Sequence, residues 1–106
     1  MAKRFHPLTV SELIKETKDT ISVKFSIPAE LKDEYQYLPG QYLTIRTDIN
    51  GESIRRSYSI SSIPSEGELK ISCKRVKGGR MSNYLYDNLA VGDSIEVMPA
   101  DGSFTL

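Results

Sequence analysis

Along most of the chain apolar residues recur at every second position, the period of a strand with one buried face. Ile21, Val23, Phe25 and Ile27 alternate with Ser22, Lys24 and Ser26. Leu43 and Ile45 alternate with Tyr42, Thr44 and Arg46, Leu69, Ile71 and Cys73 with Lys70, Ser72 and Lys74, and Ile95 and Val97 with Ser94 and Glu96. An earlier strand is expected within Phe5–Lys15, rich in Leu, Val and Ile, and another over Ser53–Ser61. Asn50-Gly51 is a strong hairpin signal; Pro39-Gly40, Glu66-Gly67 and Gly92-Asp93 are weaker turn signals. One segment has helical spacing: Met81, Leu85 and Leu89, preceded by Gly78-Gly79 and followed by Gly92. It predicts a helix of about three turns whose apolar stripe is core contact. Together these elements predict an all-β fold, a six-stranded antiparallel Greek-key barrel with one short α-helix, occupying residues 1–106 as a single domain.

Composition narrows what such a barrel could do. With 39% hydrophobic residues among 106, there is enough apolar material for one modest core. Fourteen basic residues balance fourteen acidic ones, which argues against attraction of the whole chain to nucleic acid or an anionic membrane. No apolar run approaches the roughly 18 residues of a membrane span, and Met1-Ala2-Lys3-Arg4 does not open a signal peptide, so a cytoplasmic protein is expected. Cys73, the only cysteine, can form no internal disulfide and cannot ligate an iron–sulfur cluster, which needs about four thiolates. It is expected to be buried as a small apolar residue. His6 is the only histidine, expected at the surface, and no metal site is expected.

Charge becomes informative when it is located. Between Arg55 and Arg80 seven basic residues face only Glu66 and Glu68, a local excess of five. This is either a solvated basic face or the surroundings of a small anionic ligand. Three segments bear on that choice. In the strand over Ser53–Ser61, Ile54, Arg56, Tyr58 and Ile60 share one face, and Arg55, Ser57, Ser59 and Ser61 the other. A guanidinium in register with apolar residues calls for an anionic partner, local or bound, or for a bulge that re-aims it. Lys77-Gly78-Gly79-Arg80-Met81-Ser82 brings two glycines to a helix start, where free N–H groups and the helix dipole favour phosphate. Ser82 could add a hydroxyl or cap the helix; an ordinary strand-to-helix turn would look the same. Pro39-Gly40-Gln41-Tyr42 places an aromatic at the start of a strand, to line a flat ligand or simply to pack.

Taken together, the three segments resemble one family. Arg56-Ser57-Tyr58-Ser59 is similar to the R-x-Y-S motif of the ferredoxin–NADP reductase superfamily, Gly79-Arg80-Met81-Ser82 to its G-x-x-S helix start, and Pro39-Gly40-Gln41-Tyr42 to its P-G-Q-Y turn. All occur in the family's order, and Val91-Gly92-Asp93 through Phe104 resembles its last barrel strand. The likeness covers nearly the whole chain and is strongest to the oxygenase-reductase branch that serves phenylacetate degradation.

The resemblance implies an FAD-binding domain of an NAD(P)H-dependent oxidoreductase. Arg56 would pair with the pyrophosphate, with Ser57 beside it; Tyr58 would stack on the isoalloxazine; Ser59 would be the catalytic contact near flavin N5. Tyr42 would pack on the flavin or ribityl region. Main-chain groups around Lys74, Arg75 and Val76 would border the ring, and Gly79, Arg80, Met81 and Ser82 would cradle the pyrophosphate. The partners implied are a nicotinamide-binding domain, a [2Fe–2S] domain and an oxygenase component. This sequence contains neither a dinucleotide fingerprint nor a four-cysteine cluster, so a fragment that binds flavin but turns over little NAD(P)H alone is expected. The alternatives are a β-barrel module for oligonucleotides, disfavoured by zero net charge and 8% aromatic content, and a protein-interaction barrel without a small ligand.

Overall fold

In the computed structural model, which describes residues 4–62 and 69–102, the period-two segments form one sheet. The strands are β1 (His6–Lys15), β2 (Thr20–Ser26), β3 (Tyr42–Ile49), β4 (Glu52–Ser59), β5 (Leu69–Lys74) and β6 (Ser94–Asp101), with helix α1 (Arg80–Asp87) between the last two. Their order is β4-β3-β6-β1-β2-β5, every pairing antiparallel. The expected all-β architecture with one short helix is the one observed. The two edge strands are joined by a single bridge, Ile60–Ile71, and by the Ser61 N–H donating to the Lys70 carbonyl (2.8 Å). The sheet therefore curls until its edges meet at one point without closing as a continuous ladder.

Alternation fixes the core. Leu8, Val10, Ile21, Val23, Leu43, Ile45, Leu69, Ile71, Ile95 and Val97 are buried, and Met81 and Leu85 of α1 join them. Leu89, just past the helix, is buried as well, so the stripe read from the sequence is core contact. Cys73 is buried as expected. Asn50 and Gly51 both adopt positive φ (53° and 81°), the conformation of a tight hairpin whose twist matches its strands. The Gln41 N–H donates to the Leu38 carbonyl (3.2 Å), closing the Pro39-Gly40 turn. The Glu66-Gly67 turn and Phe104 lie outside the described residues.

Sequence periodicity missed the connection from β2 to β3. It contains a 3-10 turn at Ala29–Leu31 and a fully buried Tyr35, whose hydroxyl donates to the Val97 carbonyl (2.6 Å). Burial and the neighbouring Glu34 carboxylate push the Tyr35 phenol up to about 12. His6 is less exposed than expected: it packs edge-on against Tyr35 and hydrogen-bonds Glu34 (2.9 Å).

Candidate functional site

The edge of β4 is where the strand pattern and the chemistry part company. β3 and β4 pair without a register shift from Tyr42–Ser59 to Ile49–Glu52, so no bulge re-aims Arg56. Arg56 is nevertheless exposed, donates from Nη1 to the Arg55 carbonyl (2.7 Å) and has no carboxylate partner among the described residues. Of the expected answers, the bulge and the local carboxylate are not found among the described residues. β4 is an edge strand laddered on the β3 side only, and on the face of Arg56 its neighbours Ile54 and Tyr58 are buried and half-buried.

The same edge exposes backbone. The Ile60 N–H donates to the Gln41 carbonyl on the β3 side (3.1 Å), whereas the Ser61 N–H donates to Lys70 on the β5 side (2.8 Å). Strand alternation then turns the main-chain groups of Ser57 and Ser59 toward β5, where no ladder meets them among the described residues. Both side chains are exposed, and the Ser57 hydroxyl lies 2.9 Å from that of Thr44. Tyr58 is half-buried, and burial is the main cause that pushes its phenol up, with a further contribution from Cys73. Tyr42 sits opposite Ser59 with its ring exposed and the Gly102 backbone against it, where a side chain would come within 3.3 Å.

The other lip of the seam is the end of β5 and the turn into α1. Lys74 and Val76 are exposed. The Arg75 N–H donates to the Asp19 carbonyl and the Val76 N–H to Ser82 Oγ (3.1 Å), so of the main-chain groups expected to border the ring these two N–H groups are already used by the fold. The Arg75 guanidinium is likewise committed. It binds Asn83 Oδ1 (2.8 Å) and both Asp87 oxygens (3.0 and 2.8 Å), and it lies 4.7 Å from the centroid of Tyr86.

The helix start is built by close approach. Gly79 is the N-cap, with φ −75°. A Cβ there would lie 2.7 Å from Ser82 Oγ and 3.1 Å from the Val76 carbonyl oxygen, so glycine is required by space, not by dihedral. Ser82 is not the cap: its buried hydroxyl ties down Val76, and Met81 is core. The Asn83 amide donates to the Val76 (3.0 Å) and Gly79 (2.7 Å) carbonyls. Those bonds occupy the turn's acceptors, while the N–H groups of Arg80, Met81 and Ser82 have no acceptor among the described residues. What remains is a donor-rich, acceptor-poor cradle suited to an anion.

Helix α1 packs against β4, so the cradle and the Arg56 strand are neighbours and not on opposite sides of the barrel. Arg80 secures the junction from Nη1 to Glu52 (2.9 Å) and from Nη2 to the Ile49 carbonyl (3.1 Å). A cavity of about 460 Å³ opens between the β3–β4 hairpin and α1, lined by Asn50, Gly79, Arg80 and Tyr84 among others. Sequence reading missed Asn83, Glu52 and Asp87, the residues that shape the cradle and neutralise Arg80 and Arg75. Their partners lie up to 28 residues away, and only Asn83–Gly79, at helical spacing, was open to inference. Among the described residues no cluster could hold a metal ion, and no helix is long and apolar enough to cross a membrane.

The six-stranded antiparallel sheet thus curls edge to edge, with a glycine-led helix start on the helix that packs against its β4 edge. Comparison with known proteins gives the family: the oxidoreductase FAD-binding domain profile matches residues 7–106, and the chain belongs to that family. It is 38% identical over 100 residues to one of the subunits of 1,2-phenylacetyl-CoA epoxidase from Escherichia coli, covering 94% of this chain and 28% of that protein. To the ferredoxin reductase component of 3-ketosteroid-9-alpha-monooxygenase from Rhodococcus rhodochrous it is 46% identical over 101 residues, covering 92% and 28%. The FAD/NAD-binding domain of nitric oxide dioxygenase from Vibrio cholerae superposes with a TM-score of 0.81 at 30% identity, covering 97% of this chain and 46% of that one. The chain thus spans less than a third of the length of these two curated relatives.

FAD is the cofactor of this domain family, and the residues present fit it. A pyrophosphate requires a fork-shaped cation and free N–H groups; Arg56, with no carboxylate partner among the described residues, and the 80–82 amides are groups of those kinds, on a strand and a helix that pack together. A flat ring with polar edges suits an aromatic side chain and an unpaired strand edge, present at Tyr58, Tyr42 and Ser59.

Proposed function

We propose that this chain is the flavin domain of an NAD(P)H-dependent reductase that passes electrons to an iron–sulfur or oxygenase partner, in phenylacetate degradation. The observation that carries the reading is the pairing of an uncommitted guanidinium, Arg56, with an acceptor-depleted helix start on the element packed against its strand. Likeness to a phenylacetyl-CoA epoxidase component supports the pathway, and nicotinamide supply suits a cytoplasmic site. A nicotinamide-binding domain and a [2Fe–2S] domain complete the proposed machine, and residues 1–106 form its flavin module.

When bound, FAD supplies the exchange between a two-electron nicotinamide donor and one-electron acceptors. The chain's own residues bind and orient. Arg56 and the amides of residues 80–82 hold the pyrophosphate, Gly79 keeping that surface clear of side chain. Tyr58 and Tyr42 hold the ring system and its ribityl arm, with Ser57 lining the approach. Ser59, at the end of β4, holds the reactive edge of the ring through its hydroxyl and unpaired main chain. Lys74 and Val76 form the opposing lip.

Titration of the purified chain with FAD, followed by flavin absorbance near 450 nm and fluorescence, tests the reading. Saturable binding that Arg56→Ala weakens, in a variant with an unchanged circular dichroism spectrum, is expected. Absence of binding by the wild-type chain would remove the flavin reading.

A further inference from the structure

Asn83 joins the turn before α1 to an ion pair farther along the helix. Its Nδ2 donates to two carbonyls, Gly79 (2.7 Å) and Val76 (3.0 Å), and its Oδ1 accepts from Arg75 Nε (2.8 Å). The opposite orientation of the amide would set an acceptor oxygen against two carbonyl oxygens and an NH2 group against a guanidinium N–H, so the network fixes which end faces the turn. Arg75 is itself held. Its Nη2 binds both Asp87 oxygens, its guanidinium lies 4.7 Å from the centroid of the Tyr86 ring, and the Tyr86 hydroxyl donates to the Thr17 carbonyl (2.9 Å). Lys15 Nζ stands 4.7 Å from the centroid of the same ring. A half-buried guanidinium anchored at the last turn of α1 thereby dictates the orientation of an amide in its first. Both carbonyls also accept from the main chain, Val76 from the Gly79 N–H (2.8 Å) and Gly79 from the Asn83 N–H (3.2 Å), and the Asn83 amide is the second donor to each. At a helix start the N-cap carbonyl points along the axis and the first N–H groups point out of it. A carbonyl turned outward there would set lone pairs against any anion held on those N–H groups.

We propose that Asn83 is a positioning residue of the diphosphate site and that Arg75 sets its amide: by holding the Val76 and Gly79 oxygens inward, the pair keeps the face offered to the anion one of donors. This rests on the reading of the 80–82 amides as the pyrophosphate cradle. The role requires no contact between either side chain and the ligand. Arg75, a cation engaged in the scaffold, reaches the site through the amide alone.

A double-mutant cycle, read on FAD affinity and on stability, tests the relay. Asn83→Ala should weaken FAD binding about fivefold, for the loss of two neutral hydrogen bonds that leave each carbonyl one donor. Asn83→Leu, which keeps the volume and a good helix former without either bond, should weaken it to the same extent and carries the test should Asn83→Ala fail to fold. Arg75→Ala should cost about threefold in the wild-type background and nothing more beside Asn83→Ala or Asn83→Leu, because its path to the site is then gone. Stability should not follow that pattern: Arg75→Ala removes the Asp87 pair in every background, and so should lower the unfolding midpoint in each. In the flavin-free protein, the ¹⁵N-amide resonances of Arg80 and Met81 should move on Arg75→Ala in the wild-type background and stay in place in the others. Wild-type FAD affinity in Asn83→Leu, or an Arg75→Ala loss of affinity of equal size in all backgrounds, would overturn the proposal. Absence of FAD binding by the wild-type chain is a separate result, which removes the flavin reading and the relay with it.

Discussion

Arg56 and Arg80 belong to the same basic stretch and stand on elements packed against each other, yet the fold treats them differently. Arg80 spends its guanidinium on Glu52 and the Ile49 carbonyl, and Arg75, five residues earlier, spends its own on Asp87 and Asn83. Among the described residues, Arg56 donates only to its neighbour's carbonyl. Two of the seven basic residues that make the segment so positive are therefore scaffold, neutralised by carboxylates outside the stretch. A local charge excess read from sequence mixes cations that hold the fold with cations kept for a ligand. The difference appears only when their partners are known.

The largest effect that follows from this division is on FAD affinity. Arg56→Ala should weaken binding by about 1.5–3 kcal/mol, roughly 10- to 150-fold, as for loss of a charged hydrogen bond, with little change in thermal stability. The measurement is a fluorescence titration alongside a melting curve. Unchanged affinity would move Arg56 out of the site and leave the helix start without its cation.

Arg75→Ala should reverse the pattern. The bidentate pair with Asp87, the bond to Asn83 and the stack on Tyr86 tie the β5–α1 turn to the helix. Because the side chain is about one-third exposed, the expected loss is discounted to about 1 kcal/mol of stability by denaturant unfolding. FAD binding should fall only as far as the cradle loosens. A loss of affinity larger than that of Arg56→Ala, at unchanged stability, would mean that the scaffold and ligand labels are exchanged.

The legibility of this molecule follows the range of its interactions. All six strands and the helix could be read, because alternation and i, i+4 spacing are local consequences of burying one face. The Asn50-Gly51 hairpin was legible for the same reason: positive φ is a property of those residues themselves. Tyr35 was not, since it lies in the polar run Asp33-Glu34-Tyr35-Gln36-Tyr37 and is buried by a contact with Val97, 62 residues away. Alternation placed Arg56 in register with Ile54 and Tyr58, as the unshifted pairing bears out, but did not give its exposure: Ile54 is buried and Tyr58 half-buried, while Arg56 between them is exposed. The helix-start glycine was found through its motif. Its steric cause, the approach of Ser82 Oγ and the Val76 carbonyl, depends on how the turn folds back.

A smaller effect is expected at Arg80. Its pair with Glu52 is exposed on both sides (38% and 67%), and removing such a pair costs about 0.5 kcal/mol or less. Arg80→Ala should therefore leave stability nearly unchanged and FAD affinity within about threefold, since only the main-chain N–H of residue 80 is assigned to the pyrophosphate. A drop comparable to Arg56→Ala would show that the guanidinium leaves Glu52 for the ligand, and the division would narrow to Arg75 alone.

The smallest effect tests whether scaffold pairs on the outer face are independent of the site. Arg46 binds Glu96 through Nε (3.2 Å) and Nη2 (2.9 Å), and its guanidinium lies 4.0 Å from the centroid of the Phe5 ring. The hydrogen bond from Arg46 holds the Glu96 carboxyl below its ordinary value. A carboxylate favoured by the folded state contributes stability fully above the unfolded pKa, and that contribution is lost as the pH falls through the folded one. The exposed position keeps the contribution small and salt-sensitive. Glu96→Gln should accordingly flatten a shallow acid-side slope in a plot of unfolding free energy against pH, and leave the neutral-pH FAD titration unchanged. A Glu96→Gln protein with weakened FAD binding would show that β6, between β3 and β1, transmits to the seam, and that the boundary between scaffold and site lies farther from Arg56 than the hydrogen bonds suggest.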